Sequence, residues 1–146
     1  MPMNWNQFKK GIFLVNVLAI IYKNGKILIG KRKPDPYIKQ LKWSFPGGRL
    51  HYGKTIESSL KVEVKKKTNL KIKIHKLVFA RTFGTIKIEF LNLYYFCTPL
   101  GSINNARAGE KFTEIMWIKP SHVTKYFKPP AHPFVLKFLK KLEKSI

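Results

Sequence analysis

Acid is what this chain most lacks. Seven Asp plus Glu stand against 29 Lys plus Arg in 146 residues, a formal charge of +22. A lysine-rich genome is the bland source of such a charge; heat adaptation is a poor one, because it usually enriches Glu together with Lys. A field of this size attracts phosphate backbones and opposes self-association. A polyanion partner is therefore expected: RNA first, then an anionic membrane surface or a small phosphorylated ligand. Cysteine is nearly absent too. The lone Cys97 excludes an intrachain disulfide, which points to a reducing, cytoplasmic setting. The histidines at 51, 75, 122 and 132 show no metal-ligand spacing, and ordinary surface or half-buried roles are expected of them. Long apolar runs are missing as well. "FKKGIFLVNVLAIIYKNGK" imitates a signal peptide, but Asn16 interrupts its apolar stretch, which is too short to span a bilayer and lacks a small-residue cleavage pattern. It reads as a core strand, and no transmembrane segment is expected.

What is present suffices for a folded domain. Hydrophobic residues make up 45% and aromatics 14%, which excludes a disordered polycation. Residues 1–146 read as one domain, with a core over about 13–127 and a basic amphipathic helix over about 132–145. The first two apolar runs are joined by Asn24-Gly25, a dipeptide suited to a two-residue hairpin turn. "KPDPYIKQ" is a loop, with Pro34 and Pro36 excluding regular structure. "LKWSFP" is a short extended piece ending at Gly47-Gly48. From Thr55 to Thr68 the pattern turns helical, with Ile56, Leu60 and Val64 on one face and Thr55 as N-cap. Strands are expected over roughly 71–83 and 86–98, the second too apolar for an exposed strand. "GSINNARAGEK" is a polar loop, "TEIMWIK" a strand and "PSHVTKYF" a short helix opened by Pro120. In the last segment Phe134, Val135, Phe138, Leu139 and Leu142 share one helical face, expected to pack on the core or else to anchor a basic amphipathic helix to a membrane or RNA. Lys137, Lys140, Lys141 and Lys144 share the other. The order of elements predicts an α/β fold, a mixed sheet with helices on both sides.

Residues 47–70, "GGRLHYGKTIESSLKVEVKKKTNL", resemble the Nudix (MutT-like) box: a Gly, five residues, Glu, seven residues, then Arg-Glu-apolar-x-Glu-Glu-x-Gly-apolar. Gly48 begins the match, Glu63 is the Glu after the expected Arg, Val64 the apolar position and Leu70 the last. "GKRK" before the box and "EIMWI" after it sit where that family places its strands. The resemblance implies a Nudix-type α/β/α sandwich. It also implies a magnesium site, because a diphosphate's charge must be offset as its P–O bond breaks. In the family, Glu at the positions of 63, 66 and 67 supplies the oxygen.

Here Glu63 alone remains. Lys66 and Lys67 replace the pair, Lys54 the first Glu, Val62 the Arg and Asn69 the closing Gly. Between 54 and 67, five lysines face two glutamates, a net +3, so a divalent cation would meet repulsion. Glu63 and Lys67, four apart on what reads as an exposed helix, have the favourable Glu-before-Lys order, about 0.2–0.5 kcal/mol. The simplest picture is an ammonium lying where the metal would have been. Val62 and Lys54 belong together, since the Arg and Glu they replace brace each other. Asn69 tolerates the left-handed conformation that Gly supplies at a helix end. Of the other acids, Asp35, Glu89, Glu110, Glu114 and Glu143, the loop residue Glu110 makes the best pair with Glu63 for catalysis. "GKRKPDPYIKQLKWSFPGGRL" is similar to GDP-mannose mannosyl hydrolases. That resemblance implies phosphate contacts from Arg32 and Arg49, but lysine at 67 and Phe112 stand where those enzymes need a metal carboxylate and a loop histidine.

Three readings stay open. The first is a catalytically silent protein that takes no metal and binds RNA, within a ribosome or another ribonucleoprotein. Lys65, Lys66, Lys67, Lys71 and Lys73 would form one patch and Lys137, Lys140, Lys141 and Lys144 another. The second is a magnesium-dependent hydrolase of a nucleoside diphosphate linked to another moiety, using Arg32, Arg49, Glu63 and Glu110. The third is a sensor holding a nucleotide on Arg32, Arg49, Lys54, Lys66 and Lys67 without cleaving it.

Overall fold

The computed structural model describes residues 11–34, 42–84 and 88–145. Asp35, Pro36 and Ile86, and with them most of the proline loop, lie outside the described residues. The expected hairpin joins β1 (Ile12–Lys23) to β2 (Lys26–Arg32), with Asn24 and Gly25 both at positive φ (53° and 79°). The extended piece before the box is two short strands, β3 (Trp43–Ser44) and β4 (Gly47–Arg49). Helix α1 spans Ile56–Thr68; Thr55 caps it by accepting a hydrogen bond from Ser58 N–H. Strands β5 (Ile72–Gly84), β6 (Ile88–Pro99) and β7 (Phe112–Ile118) follow. After a 3₁₀ turn at Pro120–His122 come α2 (Val123–Tyr126) and α3 (Pro133–Lys144).

The seven strands among the described residues form one mixed sheet. Its main path runs β3-β2-β1-β6-β5, with β4 paired to β1 and β7 to β2. Strands β1 and β6 are parallel from Ile12↔Ile88 to Ile21↔Cys97, while the other pairings are antiparallel. Both faces of β1 and β2 are buried, so their sequences read as continuous apolar runs. Ile20, Ile27 and Ile29 meet Val123, Phe127, Val135 and Leu139 of the α2–α3 layer. Ala19, Ile21 and Leu28 point the other way, toward Leu60 and Val64 of α1. The α/β/α sandwich is thus set by alternation along two central strands. Asn16, which breaks the first apolar run, donates to Asn92 Oδ1 (3.0 Å) at its parallel partner position. A register slip would leave both amides without that bond.

Helix α3 packs on the core through Val135 and Leu139, yet Phe134 on the same expected face is 48% exposed. No helix among the described residues is long and apolar enough to cross a membrane. Cys97 is fully buried, and that burial pushes its thiol up to about 12. Iodoacetamide at pH 8 is therefore expected to leave the folded chain unlabelled and to label it in denaturant, as read by mass spectrometry.

Candidate functional site

The box folds as a loop, a strand and a helix that converge on one carboxylate. Strand β4 lies against β1, with Gly48 opposite Val17. Helix α1 then runs back beneath it. Gly48 lets the carboxylate lie this close: a Cβ there would come 2.5 Å from Glu63 Oε2 and displace that side chain. Glu63 is 7% exposed, with each oxygen engaged. His51 Nε2 donates to Oε1 (2.8 Å), since a carboxylate only accepts. Lys67 Nζ stands 3.5 Å from Oε2 and donates to the carbonyl oxygen of Gly47.

This corrects the exposed-helix expectation for the Glu63–Lys67 pair. The two side chains are only 9% and 12% exposed, so the small energy of a solvated helix pair does not apply. Removing one partner of a buried pair costs far more, because it strands the other charge. Lys67 also leaves the basic patch expected from residues 65–73, while Lys65, Lys66, Lys71 and Lys73 are exposed.

Electrostatics around the pair are strongly positive. Burial pushes the Glu63 carboxyl upward, but the His51 hydrogen bond and the charges of Lys67 and Lys66 outweigh it, leaving the group below its ordinary value. Burial lowers Lys67; Glu63 opposes that, and the charges of Lys111 and Arg32 add to it. Arg32 of β2 therefore belongs to the same electrostatic cluster, half-buried. Arg49 is exposed at the end of β4, opposite Asn16 of β1. Lys54 is exposed in the turn before α1, where its N–H donates to His51 O. Val62 is 44% exposed.

Glu110 is exposed, and its backbone N–H donates to Lys66 O at the C-terminal end of α1. It belongs to a loop that caps that helix. Arg107, Gly109 and Glu110 donate to the carbonyls of Thr68, Lys67 and Lys66, satisfying groups that a helix end leaves open. Asn69 closes the helix in the left-handed region (φ 61°), as its place in the box implies. The loop fits only because residue 109 lacks a Cβ, which would come 2.1 Å from Lys66 O. Gly109→Ala is expected to push the loop off the helix and lower stability by about 2 kcal/mol, measured by urea denaturation.

Sequence reasoning missed two members of the cluster. His51 carried a weak signal, its place in the box loop three residues after Gly48. Lys111 carried none, since only the return of the 101–111 loop brings its charge to bear on Lys67. Phe112, at the position matched to a loop histidine, is instead buried with its ring against Gly30.

Magnesium takes near-octahedral oxygen coordination with several waters and one or two carboxylates. The donor set here does not match that. Among the described residues the site holds one carboxylate, its oxygens committed to His51 and Lys67, and an ammonium already sits on the Gly47 carbonyl. Among the described residues no group of three or more His, Cys, Asp or Glu side chains converges to hold a metal. What the arrangement can do is hold a fixed cation against β4 and present Arg32, Lys66 and Lys111 around it.

Comparison with known proteins agrees with the fold. The NUDIX domain model matches residues 13–142. The 8-oxo-dGTP diphosphatase of Buchnera aphidicola subsp. Schizaphis graminum (strain Sg) is 38% identical over 82 residues, 55% of this chain and 58% of that protein. The match thus spans little more than half of that relative's length. The MutT protein from Methanosarcina mazei Go1 superposes with a TM-score of 0.71 at 13% identity, covering 92% of this chain and 96% of that one. The E. coli ORF135 protein gives 0.69 at 18% identity, covering 89% and 88%. These two likenesses concern the fold alone. With the family model matching most of its length, and β4, α1 and the capping loop arranged around the box, the chain belongs to the Nudix family.

Proposed function

We propose that this chain is a Nudix-fold protein without metal-dependent hydrolysis that binds RNA through its basic surface. One observation carries the reading: the Lys67 ammonium lies on Gly47 O and against Glu63, inside the box. A tethered cation there neutralises Glu63 and takes the place of an exchangeable one. The +22 charge supports the second half, since phosphate neutralisation by lysine supplies most non-specific affinity for nucleic acid. Arg32, Arg49, Lys54 and Lys66 then serve phosphate contact rather than turnover.

The test has two arms. Incubation of the protein with magnesium and 8-oxo-dGTP or nucleoside diphosphate sugars is expected to release no product. RNA affinity is expected to fall steeply with salt, and a nearly flat salt response would sink the binding half. A hydrolase of nucleoside diphosphates linked to another moiety is the second reading, favoured by the similarity to a diphosphatase. Turnover abolished by EDTA and by Glu63→Gln would establish it instead.

A further inference from the structure

Strand β5 ends the main strand path, and α3 lies alongside it. Between them is a groove of about 240 Å³ whose lining includes Lys76, Leu77, Phe134, Lys137, Phe138 and Lys141. Three features give it a chemical character. First, the described residues that line it include three lysines and no acid. Second, it has exposed apolar surface, with Leu77 49% and Phe134 48% exposed. Third, its aromatic rings are braced from behind. Phe134 stacks on Phe79 (centroids 4.7 Å apart, 18° between planes), which has His132 at 4.6 Å. Lys76 Nζ stands over the Phe138 ring at 5.9 Å, keeping an ammonium within the groove.

We propose that this groove seats a single-stranded stretch of RNA, with a base on the Phe134 ring and phosphates on Lys76, Lys137 and Lys141. A braced ring with an exposed face suits any base, while lysines beside it follow the backbone. Stacking on the ring needs an unstacked base, which a single strand offers and a duplex does not. A peptide added as a further strand fits less well. β5 is irregular at Ile74/Lys76 and Leu77/Phe79, and such bulges spoil an edge for pairing. Charge complementarity selects the polyanion. The proposal rests on the RNA-binding reading and adds a place: the α3 face of the sheet, opposite the α1 layer that carries the altered box.

The experiment is fluorescence anisotropy with a labelled single-stranded oligoribonucleotide of about 12 nucleotides and its duplex. Phe134→Ala is expected to weaken single-strand binding about tenfold and duplex binding little. Lys137→Gln with Lys141→Gln is expected to weaken it further and to reduce the salt slope by about 1.4. Lys61→Gln with Lys119→Gln removes equal charge from exposed positions outside the groove and serves as the comparison. Equal losses from the two lysine pairs, or no loss from Phe134→Ala, overturn the groove and leave RNA binding standing. An absence of RNA binding by the unaltered protein overturns both. Phe134-dependent binding to anionic phosphatidylserine vesicles, with RNA affinity unmoved, overturns it in favour of a lipid surface. Circular dichroism melts confirm that each variant is folded; should Phe134→Ala unfold the chain, Phe134→Leu, which keeps volume and removes the ring, takes its place.

Discussion

Lys67→Met is expected to lower stability at pH 7 by about 1–2 kcal/mol, because it strands the Glu63 carboxylate and the Gly47 carbonyl. The loss stays below that of breaking a fully buried pair because Glu63 keeps its hydrogen bond from His51 and because removing a desolvated ammonium returns part of the cost. Glu63→Gln with Lys67→Met should recover part of that loss, since it leaves no charge stranded. The coupling in the resulting double-mutant cycle should be about 1–3 kcal/mol.

The dependence on pH follows from the two groups separately. Glu63 is held below its ordinary value of 4.5, so its contribution is present above that pH and is lost as pH falls through the folded value. In Lys67→Met the carboxyl loses its nearest cation and titrates at higher pH than in the unaltered chain. The stability gap should therefore be largest near neutrality and close below pH 4.5. Lys67 has the opposite sign. Its folded value lies below the ordinary 10.5, so the ammonium costs the folded state something at neutral pH. That cost fades as pH rises from the folded value toward 10.5. Urea denaturation of both proteins from pH 3 to pH 10 reads both limbs. A Lys67→Met protein as stable at pH 7 as the unaltered one would remove the ion pair from the account of the site.

The helix at 56–68 and the hairpin at Asn24-Gly25 were legible because their signals are local: a cap, a four-residue repeat, a turn dipeptide. The resemblance to the box located Glu63, the positions of Lys66 and Lys67, and the left-handed role of Asn69. What the sequence hid is which chain segment lies over each face. Periodicity places 63 and 67 side by side, but only the approach of β4 at Gly48 turns that face inward and makes a surface pair a buried one. His51 and Lys111 enter the site through loops whose paths no repeat encodes. Phe134 shares its expected face with Val135 and Leu139, but the sheet ends beneath it, so the ring stays exposed. For the same reason the polar loop 101–111 gave no hint of its work. Its backbone caps α1, and backbone donors are written into every sequence alike.

Lys66→Glu with Lys67→Glu is expected to make the chain take up magnesium, where the unaltered protein does not respond to it. The reasoning begins from the present occupant. An ammonium is stable on Gly47 O and Glu63 Oε2 because those oxygens form a cradle for a cation. The cradle lacks enough anionic charge for a doubly charged one. Replacing Lys67 with a carboxylate removes the internal occupant and adds a ligand on the same helix face, four residues from Glu63. Replacing Lys66 removes a second repelling charge and adds another acid beside it. The double variant should be destabilised without metal, since its carboxylates then crowd one another. Magnesium at 100 times its dissociation constant should stabilise it by about 2.7 kcal/mol, or roughly 5–10 °C in Tm. Calcium should bind too, because nothing about the cradle imposes the smaller ion's geometry. Thermal melts with and without each ion decide the matter. A saturable magnesium shift in the unaltered chain would show that the ammonium yields its place. No shift in the variant would mean that these oxygens are not a cation cradle. The lysines would then be more than a substitution laid over a preserved ligand frame.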